Sequence, residues 1–348
     1  MSNPLISVIM SVYNTKQEYL RISIESILAQ SFGDFEFIIV DDCSTDGSLD
    51  IIQEYAGRDK RIVVICNENN LGLTKSLNIA LKKAKGKYIA RMDADDYSVP
   101  NRFQIQVNYL EKHIDVGAVG GYGYVGKKRG RALTYWVKQY KHLKASMMLR
   151  NSGIPHPSAM FRRVMPDGYV VCYDEEIKKS QDFALWAEII RHGKIKMLHS
   201  FMIIYRVHPN QISAQNSSQR AYSRKVIQKQ VIDYLKVDAE TAEQISHLSD
   251  ISDQLDDAHA NPLFDLIIEA NNREKALDSN SVKWIVNEMK HERYYISKVS
   301  KNRPRAGLLA FLRFVDFYYI TRIKYDVCAF FFVKKHRRII ESVLGKSF

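Results

Sequence analysis

The chain has 348 residues, 46% hydrophobic and 26% charged, which suffices to bury a sizeable core and excludes wholesale disorder. Its formal charge of +12 is unevenly distributed: residues 116–166 hold 10 basic and no acidic side chains, residues 301–348 hold 11 against 3, and the remainder is slightly acidic. Four scattered cysteines without a C-x-x-C pair exclude a disulfide framework and a zinc ribbon and fit a reducing cytoplasm. No secretory signal and no run of 18 apolar residues is visible, so no membrane span is expected.

Residues 5–12 (LISVIMSV) read as a buried strand, and residues 19–29 as a helix with Leu20, Ile24, Ile27 and Leu28 on one face. Residues 35–40 form a second strand, 48–55 a helix, 61–66 a third strand and 74–84 a helix. A fourth strand, 87–92 (KYIARM), runs directly into acidic residues. Such alternation implies parallel strands with right-handed crossovers, whose ligands sit beyond the carboxyl ends of the strands. Residues 120–126 (GGYGYVG), followed by Lys127, Lys128, Arg129 and Arg131, read as a turn-rich basic loop. A helix is expected over 180–192, strand-like pieces at 195–198 and 202–205, and an acidic helical region over 218–300. A boundary near 216 gives three parts: 1–216, a helical region 217–300, and a basic amphipathic segment 301–348.

The strand ends carry the chemistry. The first turn, Ser11 to Lys16, has neither G-x-G-x-x-G nor G-x-x-x-x-G-K-[ST], which disfavours a dinucleotide fold and a P-loop NTPase. The second strand ends in Asp41-Asp42-Cys43-Ser44-Thr45-Asp46-Gly47, residues that an ordinary helix cap would also use. The fourth ends in Asp93, Asp95 and Asp96, carboxylates that repel one another unless a cation offsets them. On an extended chain Asp93 and Asp95 would project to one side. Together with phosphate oxygens, such a pair suits Mg²⁺ or Mn²⁺.

Residues 5–14, 40–47, 70–78 and 88–96, followed by 156–162 (HPSAMFR), 181–186 (QDFALW) and 205–213 (YRVHPNQIS), together resemble family 2 glycosyltransferases of the GT-A fold. The nearest likeness is to bacterial enzymes that build capsule, exopolysaccharide or O-antigen chains, and it covers roughly residues 4–215. The resemblance implies an α/β GT-A nucleotide-diphospho-sugar transferase fold, with a mostly parallel central sheet followed by a smaller all-helical C-terminal region. It implies a UDP-sugar donor held by Ser11, Tyr13, Asp42, Lys75 and Asp93, and Mn²⁺ or Mg²⁺ on Asp95 and His208. By the same likeness Asp182 is the general base and Gln181 beside it lies on the acceptor side; the prolines flanking His156 suggest a fixed loop near the acceptor side, and Arg162 joins it there as part of the basic stretch. A base is required because an acceptor hydroxyl is a poor nucleophile until a carboxylate takes its proton. The family usually has Glu before this Asp; Gln181 keeps the hydrogen bonding and loses the charge. His208 could ligate metal or donate to diphosphate, and both roles stay open.

The expected reaction is inverting transfer to a saccharide acceptor, lipid-diphosphate-linked, with a β-glycosidic product. The basic run through Lys138, Lys141, Lys144, Arg150, Arg162 and Arg163 suits an anionic acceptor. Leu308, Phe311, Leu312, Val315 and Tyr319 recur at helical spacing ahead of Lys334-Lys335-His336-Arg337-Arg338, a pattern that suits an anionic membrane interface. The protein is therefore expected in the cytoplasm, peripheral at the inner face of the cell membrane. A metal-dependent nucleotidyltransferase, a basic nucleic-acid-binding protein and an inactive family member are the alternatives. No nucleic-acid-binding module is present and no nucleic acid is expected as a partner. Donor sugar, linkage position and oligomeric state, homo-oligomers included, are left open.

Overall fold

The computed structural model describes residues 3–125, 133–134, 142–150, 153–206, 216–249 and 257–300. The segment ISVIMSV carries no charged side chain and only two serines, and β1 (Ile6–Val12) is covered on both sides. The chain then runs through α1 (Gln17–Leu28), β2 (Phe35–Asp41), α2 (Ser48–Arg58), β3 (Ile62–Cys66), α3 (Leu73–Lys83) and β4 (Tyr88–Arg91). It continues through β5 (Tyr97–Ser98), α4 (Arg102–Lys112), β6 (Val116–Val125) and β7 (Leu133–Thr134) to α5 (Leu143–Leu149). A short 3-10 turn (His156–Ser158) precedes β8 (Met160–Arg162), α6 (Gln181–His192) and β9 (Lys194–Tyr205). Four helices follow: α7 (Asn216–Leu235), α8 (Ala239–His247), α9 (Asp257–Glu274) and α10 (Ser279–Ser300).

Among the described residues the strands form one nine-stranded sheet ordered β3-β2-β1-β4-β8-β6-β9-β5, with β7 paired to β6. β3, β2, β1 and β4 are mutually parallel, as strand–helix alternation requires, so their carboxyl ends share one edge. Register places Val12 beside Asp41, Asp41 beside Cys66 and Ile9 beside Arg91. β4 thus stops short of the end of β1; Met92 N still donates to Ile9 O, and the acids follow. β8 enters antiparallel against both β4 and β6, whereas β6 and β9 are parallel. The core beneath the first strands unites Val8, Met10, Leu20, Ile24, Phe37, Ile39, Ile52 and Phe103.

Two readings of the middle of the chain are corrected. Residues 120–125, expected as a turn-rich loop, are the second half of β6. The glycines are there because neighbouring chain comes close: a Cβ on Gly120 would lie 2.8 Å from Ile154 Cβ, and one on Gly121 would overlap Met202 Cγ. The two pieces expected at 195–198 and 202–205 are one strand, β9, whose polar interruption is taken up by a bulge in β9 itself, between Met197 and Phe201, opposite Gly120 and Tyr122 of β6.

The chain divides into two compact units. One holds the sheet with α1–α4 and α6; the other holds α5 with α7–α10. In the helical unit His142 Nδ1 lies 2.7 Å from Ser281 Oγ and its ring stacks on Trp284, so a segment interrupting the sheet region in sequence joins helices far downstream. Among the described residues no helix is long and apolar enough to cross a membrane. Residues 301–348, which carry the expected membrane-docking segment, and the basic residues from Lys127 to Lys141 lie outside the described residues.

Candidate active site

Three loops at the shared strand edge are laced into one ledge. After β1, Asn14 adopts φ 46°, a left-handed conformation asparagine tolerates, and its Oδ1 accepts from Thr45 N at 2.8 Å. Asn14 N donates to Ser44 Oγ at 3.1 Å, and Thr15 N to Ser48 Oγ at 3.2 Å, so the β1–α1 loop is tied to the β2–α2 loop. The third loop hangs on Asp42, only 2% exposed, whose carboxylate accepts from Asn67 Nδ2 at 2.7 Å and from Leu71 N and Gly72 N at 2.8 Å each. Gly72 there has φ 85° at the start of α3, a conformation costly for any residue with a Cβ. Tyr13, half exposed, stands on this ledge; Ser11 is the last residue but one of β1, and Lys75 is exposed on the first turn of α3.

The acids after β4 are carried on a turn, not on the extended chain the spacing argument assumed. Residues 94 and 95 reverse direction toward β5, and Asp96 N points back at Asp93 O. Arginine offsets their mutual repulsion. Arg91, 1% exposed, donates from Nη2 to Asp93 Oδ1 at 2.5 Å. Arg206 donates from its backbone N to Asp96 Oδ1 and from Nε to Asp95 O, both at 2.9 Å, while its guanidinium lies 3.9 Å over the Tyr19 ring. Behind them Arg102, fully buried, donates to Arg91 O and Ala159 O at 2.8 Å; burial and then the Arg91 charge pull its pKa down to about 9. Burial raises the pKa of Asp93, with the Arg91 charge opposing and Asp95 adding to the rise. Asp96 is raised well above the ordinary range by burial, then by Asp95 and Asp93.

The opposite wall comes from later in the chain. His156 sits in the 3-10 turn between two prolines, 7% exposed, with Nε2 2.7 Å from the Tyr173 hydroxyl. Asp182 is in the first turn of α6, after Ser180 in a left-handed conformation (φ 60°), and its Oδ1 accepts from Phe183 N at 2.8 Å. Burial raises the Asp182 pKa and the Asp93 charge adds to it, while the Phe183 amide and Arg91 oppose. Tyr173 is pushed up by burial and feels Arg91, Asp182 and Asp93. Asp93 is bonded to the buried cation Arg91, and His156, Tyr173 and Asp182 feel its charge.

A family pattern described as Glycosyl transferase family 2 matches residues 7–168. An uncharacterized glycosyltransferase of Methanocaldococcus jannaschii is 37% identical over 215 residues, spanning 60% of this chain and 73% of the relative. The chain belongs to glycosyl transferase family 2. This transferase is also 32% identical, over 60% of its length and 80% of the relative's, to an Escherichia coli protein named UDP-Glc:alpha-D-GlcNAc-diphosphoundecaprenol beta-1,3-glucosyltransferase WfaP. S. aureus TarS 1–349 in complex with UDP-GlcNAc superposes with a TM-score of 0.56 at 19% identity, covering 85% of this chain and 87% of that one, which shows the GT-A fold.

Of the residues singled out in the sequence of the transferase, Ser11, Asp93, Asp95, His156, Gln181 and Asp182 lie at or beside the shared edge. Arg162 does not. Antiparallel β8 carries the chain away from His156, so Arg162 pairs with Tyr88 at the far end of β4. There its guanidinium donates to Val116 O, Leu110 O, His113 O and the Tyr88 hydroxyl. His208 lies outside the described residues. Among the described residues no three His, Cys, Asp or Glu side chains converge into a cage. Mg²⁺ and Mn²⁺ held with substrate phosphates need only one or two carboxylates. Hard oxygen donors on Asp95 and Asp96, with Asp96 Oδ2 buried and without a hydrogen-bond partner, fit such an ion. Sequence reasoning missed Arg91, Asn78, Tyr173 and Arg206. Arg91 had a signal, since a cation inside the apolar strand YIAR needs a buried counter-charge; Tyr173 had none, because its neighbours are remote in sequence.

Proposed function

We propose that the chain catalyses inverting transfer of a sugar from a UDP-sugar to a saccharide acceptor, lipid-diphosphate-linked, in surface polysaccharide synthesis, forming a β-glycosidic bond. The observation that supports this reading is that Asp182 feels the negative charge of Asp93 and the positive charge of Arg91, although 89 residues separate it from Asp93 in the chain. The name of the E. coli relative supports a UDP-linked donor and a diphosphate-lipid acceptor.

The nucleotide base rests on the ledge against Ser11 and Tyr13. Asp42 has used three of its roughly four lone-pair directions to shape the loop, which leaves one for a ring N–H. Asp93, oriented by Arg91, faces the ribose or sugar, and Lys75 adds a positive charge on the diphosphate side. Asp95, joined by His208, would hold Mn²⁺ or Mg²⁺, which when bound supplies Lewis-acid neutralisation of the departing diphosphate. Asp182 takes the proton of the acceptor hydroxyl as its oxygen attacks the anomeric carbon, and the bond to phosphate breaks on the opposite face. Burial suits Asp182 to this, because a raised pKa makes its carboxylate a stronger base. One displacement on an α-linked donor gives the β product, by the logic of inverting hydrolysis with the acceptor replacing water.

A thermal-shift panel of UDP-sugars with Mn²⁺ tests the donor class: selective stabilisation by one UDP-sugar is expected, and indifference to all of them contradicts the reading. The basic aromatic segment 301–348 is proposed to dock on an anionic leaflet and bring the site to its acceptor. Sedimentation with phosphatidylglycerol vesicles should carry the full chain down and leave a chain ending near residue 300 in the supernatant.

A further inference from the structure

Asp182 rides on α6, and the position of α6 against β4 is set by buried contacts outside the strand-end loops. Asn78 on α3 grips the backbone of Tyr173 on both sides: its Oδ1 accepts from Tyr173 N at 2.8 Å, and its Nδ2 donates to Tyr173 O at 2.9 Å. One turn earlier on the same face of α3, Thr74 Oγ1 donates to Ile177 O at 3.3 Å. The stretch leading to Asp182 is thus fastened to the helix whose opening loop Asp42 gathers. The Tyr173 side chain then meets His156, and His156 packs edge-on against Trp186 with ring centroids 6.0 Å apart. Trp186 follows Asp182 by one helical turn on the same face of α6 and is 1% exposed. Gln106 Nε2 donates to Ser158 O at 2.7 Å and Arg102 to Ala159 O at 2.8 Å, so the turn carrying His156 is itself held from behind.

We propose that Tyr173 and His156 are positioning residues for the transfer: a hydrogen-bonded pair, braced by Asn78, that sets where α6 presents Asp182 opposite Asp93. The pair is neutral. Burial, then the nearby Arg91 charge, holds the imidazole well below its ordinary pKa, and burial holds the phenol in its protonated form. Neutrality matters here, because a cation in this place would compete with Arg91 for Asp93 and Asp182, and an anion would repel both. A rigid uncharged brace instead fixes distance without altering the charge balance, and displacement of a catalytic group by about 1 Å can cost roughly 10²-fold in rate.

This inference rests on the proposed role of Asp182. Its test compares Tyr173→Phe, His156→Ala and His156→Gln with the parent chain. UDP affinity is read by calorimetry, and kcat and KM by release of UDP from UDP-glucose, UDP-galactose, UDP-N-acetylglucosamine and UDP-glucuronate with Mn²⁺ and water as acceptor. Tyr173→Phe keeps the ring and loses only the hydroxyl; with His156→Ala it should lower kcat roughly 10- to 100-fold while donor KM and UDP affinity hold. His156→Gln, which still offers the phenol a partner, should recover most of the loss. Unchanged kcat in Tyr173→Phe, parallel changes in kcat, KM and UDP affinity, or no recovery in His156→Gln overturns the positioning role alone. A parent chain that neither binds UDP nor releases it from any of these donors overturns the functional reading, and this inference with it.

Discussion

The two walls of the site are built by opposite means. The ledge on the nucleotide side is tied between successive strand–helix units: Asn14 to Thr45 spans 31 residues and Asp42 to Gly72 spans 30. The wall carrying Asp182 is tied across the fold, Asn78 to Tyr173 over 95 residues and Thr74 to Ile177 over 103. The first wall is made of loop hydrogen bonds open to solvent on one side. The second is built around the buried pair His156 and Tyr173, whose proton affinities are shifted by that burial. Binding is thus expected to depend mainly on local loop chemistry, and turnover on long-range packing.

Replacing the base should separate the walls most sharply. Asp182→Asn is expected to lower turnover roughly 10²- to 10⁴-fold with UDP affinity unchanged by calorimetry; equal losses in both would break the division. Asp42→Ala acts on the other wall. It strands buried donors, each worth about 1–3 kcal/mol, so a lower Tm and UDP affinity weakened about tenfold or more are expected, with residual turnover per bound donor retained.

The division also explains what the sequence disclosed. The ledge proposed for the nucleotide was legible as local structure because each tie links neighbouring strand–loop–helix units, where Asp42, Gly72 and Asn14 stand in a recognisable order. The acids after β4 were legible for the same reason, although not their geometry, since the reversal at residues 94 and 95 depends on β5 pairing with β9. Tyr173 was invisible because nothing near it in the chain marks its attachment to α3. Glycines 120 and 121 misled, since glycine-rich sequence also serves a strand approached closely by Met202 and Ile154.

Smaller effects sharpen the comparison further. Because burial raises the Asp182 pKa, and the base works only when ionised, turnover should fall as pH drops through a midpoint above the ordinary aspartate value near 3.9. UDP affinity should change less over the same range, and a kcat–pH profile with an acid limb at the ordinary value would contradict the burial argument. The smallest effect is expected at Lys75, exposed on α3. Lys75→Met should raise donor KM by about two- to fivefold, lessening as salt screens the charge, and leave Tm unaltered.

The central claim is a single displacement assisted by Asp182 on the face opposite the leaving UDP. Proton NMR of the first product formed from an α-linked UDP-sugar tests it most directly. The account predicts that the β-anomer appears first; an α-anomer as the initial product would contradict it.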